Sequence, residues 1–366
     1  MNLKNLIFSN VYKKNPSAFG LDISDFSIKI AQLKRKGKNF KLLNFNREPI
    51  PKGIIEEGEI KNEKELISIL KKALKEVKGE KIKTPYAICS LSEQHGFIKM
   101  INLPKMKMEE LEQAIKWEAE ANIPLPIEDV YLDWQLAGYD DKSDHFDILI
   151  NAVPKKIADS YLRVLQKSGV EPIAFEIESV ATARSLIEGG FSKESIMIMD
   201  LGYSRTSFII FAGDSLRFTS SISISNQQMI NDIALKLNVS QKEARDLKIK
   251  IGLDNEKENG KVFNVLVFSI EKLIDKIEEC LTFYKGHHHS ENFCSSDISK
   301  IIICGGGAYL KNLPQYLNAR LKIPVASGNP WVNILKQPIT KTPLIYQRES
   351  LAYSTVLGLA LRENLE

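Results

Sequence analysis

Residues 19–33 read FGLDISDFSIKIAQL, which gives an apolar strand ending near an acidic residue, a short turn, and a second alternating strand. Residues 196–211 repeat this plan as IMIMDLGYSRTSFIIF. In each copy the pattern predicts a third strand, over 38–45 and over 216–224, followed by a helix with apolar residues at helical spacing. Two such βββα units in one chain predict two related lobes with a cleft between them.

A segment of different character separates the two repeats. Its periodicity predicts a strand, a helix, a hairpin and a second helix, over 95–101, 107–122, 130–136 paired with 146–153, and 155–168. Gly169 is placed to end the second helix. We expect this β-α-β-β-α unit to form a subdomain inserted into the first lobe.

The expected fold class is α/β, with duplicated βββαβα units and the inserted subdomain. Four parts of the chain are distinguished on this basis: a tail over 1–18, a first lobe built from 19–92, 170–192 and 350–366, the inserted subdomain over 93–169, and a second lobe over 193–349.

The composition excludes several classes of protein. A chain of 366 residues is long enough for two lobes with their own cores, and its 43% apolar and 26% charged residues are typical of a globular protein. The net charge of +4 comes from mixed signs, which argues against nucleic acid as a partner. No apolar run is long enough to span a membrane, and the four cysteines lack disulfide or metal spacing.

Three short stretches have the chemistry of a nucleotide site. Asp22 and Asp200 each end a strand before a tight turn, where a carboxylate can hold Mg²⁺ through water and backbone N–H groups can meet phosphate. The run Gly305–Gly307 lies between a predicted strand over 300–304 and a predicted helix over 310–321, which lets a ligand approach the backbone. One such turn alone is weak evidence for a nucleotide site, because turns of this kind are common. The occurrence of all three in this order is much stronger evidence.

This order resembles the actin/sugar-kinase superfamily, in which two phosphate loops precede an adenosine loop. The inserted unit narrows the resemblance to the branch that contains FtsA and PilM. The PilM family of type IV pilus assembly proteins is the nearest in detail, through residues 27–33, 103–105, 117–120, 123–126, 241–248, 307–310, 328–331 and 357–362.

The resemblance implies an actin-like (RNase H-like) fold that binds ATP and Mg²⁺. It implies nucleotide-binding roles for Asp22, Ser24, Asp25, Ser27, Lys29, Asp200, Gly202, Ser204, Arg205, Thr206, Lys248, Gly305, Gly306, Gly307 and Ala308. Asp22 and Asp200 are implied to hold the metal through water. No catalytic residue is assigned, although Glu176 and Glu178 lie where actin-like ATPases position water, and capping of a helix explains Glu178 as well.

The resemblance also implies partners and a location. A member of this family works in the cytoplasm at the inner face of the inner membrane, as part of the pilus assembly platform. It binds the N-terminal segment of a PilN-like bitopic membrane protein in a groove between the inserted subdomain and the first lobe, beside other platform proteins. Its own contact with the membrane is indirect.

Three stretches depart from the family pattern. Residues 24–26 read Ser-Asp-Phe where the family has glycine and small hydroxyl residues, and Asp25 adds a negative charge near phosphate. Residues 225–226 read Ser-Asn in place of Gly-Gly, and Arg245 replaces a glutamate that meets ribose. These changes predict weak or absent hydrolysis and put the affinity for ATP in doubt. Two interpretations of binding stay open: the loops tolerate the changes and ATP still binds, or the chain has lost tight nucleotide binding and serves as a scaffold.

Two rival functions share this fold. The first is an FtsA-like, ATP-binding and polymerising cell-division protein, which the degraded first loop and the missing C-terminal membrane helix disfavour. The second is a sugar or acetate kinase, which needs a carboxylate base and a sound phosphate cradle. The run His287–His289 is interpreted as a solvated loop, because three adjacent residues do not converge on one ion with ordinary geometry.

Overall fold

The computed structural model describes residues 17–137, 144–287, 295–339 and 343–362. Its strands are β1 (Phe19–Ser24), β2 (Ser27–Lys36), β3 (Asn39–Pro49), β4 (Ile55–Glu56), β5 (Glu59–Ile60), β6 (Lys78–Gly79), β7 (Tyr86–Leu91), β8 (Phe97–Pro104), β9 (Val130–Ala137), β10 (His145–Pro154), β11 (Glu171–Ile177), β12 (Ser192–Leu201), β13 (Thr206–Gly213), β14 (Ser215–Ile222), β15 (Ile298–Cys304) and β16 (Val325–Ser327). Its helices are α1 (Glu63–Lys75), α2 (Met108–Asn122), α3 (Lys155–Lys167), α4 (Glu178–Leu186), α5 (Asn226–Leu237), α6 (Gln241–Lys250), α7 (Lys261–His287), α8 (Leu313–Leu321), α9 (Gln347–Ser350) and α10 (Ser354–Arg362). Most of the predicted tail over 1–18, together with His288 and His289, lies outside the described residues.

Two mixed sheets form the two lobes. The first has the strand order β11-β7-β1-β2-β3-β6, with β1 antiparallel to β2 and parallel to β7. The second has the order β14-β13-β12-β15-β16, with β12 antiparallel to β13 and parallel to β15. The same arrangement therefore occurs twice, and it places the strands that carry Asp22 and Asp200 inside their sheets.

The helices cover the second sheet along most of its length. The strand β13 is buried at every position, which explains why its sequence does not alternate with polar residues. The helix α7 begins at Lys261, and Val262 and Leu266 in its first turns belong to the same buried stripe as Ile270 and Leu273. No helix among the described residues is long and apolar enough to cross a membrane.

The inserted unit is built on a three-stranded antiparallel sheet in the order β8-β10-β9. The helix α2 covers one face of it, where Leu111, Ile115 and Ala119 form a cluster with Ile148 and Ile150 of β10. The apolar stripe predicted for this helix therefore faces its own small sheet.

The buried face of the helix α3 packs in the core of the first lobe, while Asp159 of the same helix contacts β9. Its buried residues Ile157, Tyr161 and Leu165 share a cluster with Leu66 and Leu70 of α1. The predicted subdomain over 93–169 includes this helix, whose apolar face lies in the first lobe. Helical periodicity shows that a helix has an apolar face, but it does not show which sheet that face covers.

The segment after β16 returns to the first lobe. Trp331 and Ile334 are fully buried in a cluster with Leu42 of β3 and Val356 of α10. The backbone N–H of Phe40 also donates to the carbonyl of Ile334 at 2.8 Å. The last part of the second lobe predicted over 193–349 thus completes the core of the first.

The helices α4 and α10 cross at close range where the two lobes meet. A Cβ on Gly358 of α10 would lie 1.8 Å from the carbonyl oxygen of Ala181 on α4. The hydroxyls of Thr182 and Thr355 are hydrogen-bonded at 2.9 Å across the same crossing. Leu186 of α4 then packs on the second sheet. This backbone contact explains why α10 has the small residue Gly358 at the crossing.

Candidate functional site

Two turns, one from each lobe, line the same cavity of about 130 Å³. The first joins β1 to β2 around Asp25, and the second joins β12 to β13 around Tyr203. Gly202 fits the second turn because a Cβ there would lie 2.8 Å from the carbonyl oxygen of Arg205. The fold therefore sets the two acidic turns opposite each other across the cleft.

Most residues predicted to bind nucleotide line this cavity. They are Asp22, Ser24, Asp25, Ser27, Lys29, Asp200, Gly202, Ser204, Arg205, Gly305 and Gly306. Four others predicted for the same role, Thr206, Lys248, Gly307 and Ala308, do not line it.

Thr206 and Gly307 are used by the fold itself. The buried hydroxyl of Thr206 donates to the carbonyl of Ile224 at 2.7 Å. A Cβ on Gly307 would lie 2.2 Å from Cγ of Leu201. Both were predicted from their place in a motif, which does not fix the direction in which a residue faces.

Lys248 lies behind the cavity surface. It is buried on α6, and its Nζ donates to Oδ1 of Asn226, which does line the cavity. Burial, helped by the charge of Arg245, lowers the pKa of Lys248 to about 8. Ala308 faces a separate concavity beside Asn312. Lys248 therefore acts on the cleft only through Asn226.

The glycines after β15 serve two different purposes. Gly305 has a φ of +83°, and a Cβ there would lie 2.2 Å from Oδ1 of Asp200, so this glycine lets two backbone segments meet. A Cβ on Gly306 would touch nothing within 4 Å, so this backbone is open to a ligand. The helix α8 begins at Leu313 and not at the predicted Leu310, because a short 3₁₀ turn comes first and Asn312 adopts a left-handed conformation.

Asp22 is held by two neighbours in the first lobe. The Nζ of Lys29 lies 2.7 Å from Oδ2 of Asp22, and the hydroxyl of Ser90 donates to Oδ1 at 2.9 Å. The carboxylate is almost completely buried. The lysine that could meet phosphate is thus paired with a carboxylate inside the cleft.

Asp25 is tied to the hairpin formed by β4 and β5. Its Oδ1 accepts a hydrogen bond from the backbone N–H of Gly58 at 2.9 Å. Burial raises its pKa, while the N–H groups of Gly58 and Glu57 and the charge of Arg205 act in the opposite direction. The negative charge predicted to face phosphate is therefore partly balanced from the second lobe.

Three further carboxyl groups are buried near the two turns. Burial raises the pKa of Asp200 to about 6 and that of Glu93 to about 7. Burial and the charges of Asp22 and Asp200 raise the pKa of Glu178 well above its usual range. Within the described residues, no group of three or more His, Cys, Asp or Glu side chains is arranged to hold a metal ion.

Of the other departures from the family pattern, Asn226 lines the cavity, whereas Ser225 and Arg245 do not. The hydroxyl of Ser225 accepts from the backbone N–H of Gln228 and caps α5. Arg245 is exposed on α6 and does not line the cavity. The glutamate-to-arginine change therefore acts at a distance from the two turns.

The sequence pattern did not reveal the contact that joins the two turns. The ring centroids of Phe26 and Tyr203 lie 4.1 Å apart, with an angle of 45° between the planes. An aromatic pair of this kind contributes roughly 0.5–1.5 kcal/mol beyond its buried area. The only signal in the sequence is a bulky aromatic residue in each turn where small residues suit a phosphate.

Residues before and within α10 also complete the cavity. Leu351, Ala352, Ser354 and Thr355 line it together with the two turns. The sequence marks this helix by its small residues, but nothing local connects it to the cleft.

A family model described as type IV pilus assembly protein PilM matches residues 20–364. The chain belongs to the PilM family. The match covers both turns, the inserted sheet, the run Gly305–Gly307 and α10. It confirms the family that the sequence resembles.

One curated relative of this PilM-family chain is the cell division protein FtsA of Pseudomonas aeruginosa. The two are 21% identical over 199 residues, which is 49% of this chain and 48% of FtsA. The chain thus matches about half the length of this relative.

Solved structures confirm the actin-like fold of this PilM-family chain. The PilM–PilN type IV pilus biogenesis complex matches with a TM-score of 0.77 and 23% identity, over 95% of this chain and 99% of that one. MreB 5 of Spiroplasma citri, bound to AMPPNP, matches with a TM-score of 0.55 and 14% identity, over 96% and 98%. The ethanolamine utilization protein EutJ of Carboxydothermus hydrogenoformans matches with a TM-score of 0.54 and 14% identity, over 97% and 92%.

Proposed function

We propose that this chain is the cytoplasmic actin-like component of a type IV pilus assembly platform at the inner face of the inner membrane. It holds the N-terminal segment of a PilN-like bitopic membrane protein and thereby helps to align the platform. The family match over residues 20–364 carries the proposal. The inserted three-stranded sheet, which the fold adds to two actin-like lobes, supplies a binding element for such a segment.

The groove for the partner is proposed along β9. This strand is at the edge of its sheet, where it pairs with β10 on one side only. The hydroxyl of Tyr131 in β9 donates to Asp159 of α3 at 3.1 Å, so the edge lies beside the first lobe. An extended peptide can add to such an edge through main-chain hydrogen bonds, with alternate side chains in pockets.

Charge at the start of this edge favours a basic segment. Glu128 and Asp129 are exposed just before β9, and Asp159 lies beside it. The Nζ of Lys155 donates to the carbonyl of Glu128 and lies over the Tyr131 ring, so the three carboxylates are partly balanced by this ammonium group. Cytoplasmic segments next to membrane spans are enriched in Lys and Arg. A short basic N-terminal segment therefore has the right charge for this position.

Peptide binding followed by amide hydrogen exchange tests this proposal. A synthetic N-terminal peptide of a PilN-like protein is expected to bind, with slower exchange of backbone amides within residues 130–137. A scrambled peptide of the same composition is the control. Binding without protection of β9 would reject the groove, and failure of the peptide to bind would reject the partner.

We also propose that this chain binds nucleotide weakly and does not hydrolyse ATP. Lys29 is paired with Asp22, and Ser24 and Asp25 stand in the first turn. Burial and the charges of Asp22 and Asp200 raise the pKa of Glu178, which disfavours the carboxylate form that would activate water. If Mg²⁺ were bound, Asp22 and Asp200 would hold it through water and the ion would neutralise phosphate charge.

A phosphate-release assay with Mg²⁺ and ATP tests this second proposal. The wild-type protein is expected to release no more phosphate than the variant Glu178→Gln. Turnover that Glu178→Gln abolishes would overturn the proposal and favour an active ATPase. Sedimentation of ATP-dependent polymers, combined with failure of the peptide to bind, would favour an FtsA-like protein instead.

A further inference from the structure

The aromatic contact between the two turns bridges the lobes at the mouth of the cleft. Phe26 belongs to the first lobe and Tyr203 to the second, and their ring centroids are 4.1 Å apart. Both residues line the same cavity as Asp22 and Asp200. The rings thus meet in the gap that separates the two turns.

A pair of opposite charges lies next to these rings. Burial raises the pKa of Asp25, which precedes Phe26, and the positive charge of Arg205 in the second turn opposes that rise. The Nη2 atom of Arg205 also donates to the hydroxyl of Ser221 at 2.8 Å, which fixes the guanidinium within the second lobe. The two lobes are therefore joined here by an apolar contact and by electrostatic attraction.

This contact conflicts with the use of the cleft for a triphosphate. A phosphate chain clamped by the two turns has to pass through the gap that the rings occupy. The cavity that remains has a volume of about 130 Å³. Small-molecule pockets commonly measure roughly 300–1,000 Å³. A Cβ on Gly306 would have nothing within 4 Å, so space for a ligand remains beside that backbone.

We propose that Phe26 and Tyr203 determine the ligand specificity of this cleft by excluding the triphosphate chain. The two rings join the lobes in place of the phosphates. The two turns therefore stay together without nucleotide. This inference rests on the proposed function, because it takes the cleft to be a nucleotide site. It names the residues that make the affinity for nucleotide weak, and it does not depend on the pilus partner.

Calorimetric titration of ATP with Mg²⁺ tests this inference. The double variant Phe26→Ser, Tyr203→Ala is expected to bind ATP at least about tenfold more tightly than the wild-type protein. Adenosine, which lacks phosphate, is expected to bind both proteins equally. Phe191→Ser, which removes an exposed aromatic ring elsewhere, and Tyr203→Phe, which keeps the ring, are expected to match the wild-type protein.

Thermal unfolding supplies a second readout. Without nucleotide the double variant is expected to melt below the wild-type protein, and ATP is expected to raise the melting temperature of the variant but not of the wild type. Equal affinity of the wild-type and double-variant proteins for ATP would overturn the inference. If the double variant does not fold, the single variants Phe26→Ser and Tyr203→Ala decide, since each removes one ring. Peptide binding is measured separately, so its failure would reject the pilus partner without affecting this result.

Discussion

Replacing Glu93 by Gln is expected to stabilise the protein near neutral and alkaline pH but hardly at all in acid. Glu93 follows β7, and both of its carboxylate oxygens are buried without a hydrogen bond of good geometry. Burial raises its pKa from the ordinary value of 4.5 to about 7. The hydroxyls of Thr219 and Ser207 and the charge of Arg205 oppose this shift but do not cancel it.

The sign of the effect follows from proton binding. Below the unfolded pKa both states are protonated, so the ionisation of Glu93 costs nothing. As the pH rises from 4.5 toward 7, the unfolded chain releases this proton first, and wild-type stability falls. Above the folded pKa the loss is complete, and a shift of about 2.5 units corresponds to about 3 kcal/mol.

Urea denaturation of wild type and Glu93→Gln at two pH values measures this difference. Near pH 8 the variant is expected to gain about 3 kcal/mol in the free energy of unfolding, and near pH 5 about 1 kcal/mol or less. Glu112→Gln, at an exposed position of α2, is the control and should change little at either pH. A gain that is the same at both pH values, or no gain near pH 8, would refute the assignment of a buried and costly charge to Glu93.

Three further substitutions test the packing around the cleft, each by urea denaturation. Gly358→Ala places a Cβ 1.8 Å from the carbonyl oxygen of Ala181 and should cost about 3 kcal/mol, so a neutral result would mean that α4 and α10 do not cross as described. Ser225→Ala removes the N-terminal cap of α5 and should lower the free energy of unfolding by about 1 kcal/mol. Ser225→Asp supplies another capping oxygen and should retain most of that stability. Arg217→Ala leaves Asp147 buried without its 2.9 Å partner and should cost about 3 kcal/mol. The double variant Arg217→Met, Asp147→Leu should recover most of that loss, and full additivity would argue against this ion pair between the inserted sheet and the second lobe.

The local sequence pattern was sufficient to predict many of the strands and helices and part of the candidate site. The strands that carry Asp22 and Asp200, and the turns after them, were predicted from alternation and from an acidic residue at a strand end. Both aspartates line the cavity, as do Gly305 and Gly306. These features depend on residues close together in the chain, which is why the sequence alone reveals them.

Motif position does not fix the direction in which a side chain faces. Thr206, Lys248 and Gly307 belong to the predicted motifs, but in the structure they contact other parts of the protein and do not line the cavity. The sheet that α3 covers is undetermined for a related reason, because an amphipathic helix can cover either of two neighbouring sheets. A local pattern carries no information about which distant surface a residue meets.

The sequence by itself determined that two similar βββα units would build two lobes around a cleft, because strand alternation, helix spacing and turn residues are local properties that repeat along the chain. Only the tertiary structure decided how that cleft is filled. Phe26 and Tyr203 belong to different lobes, and they meet because the lobes bring the two turns together. Asp25 and Arg205 interact for the same reason. Contacts between residues so far apart in the chain depend on how whole sheets pack, and no short stretch of sequence encodes that packing.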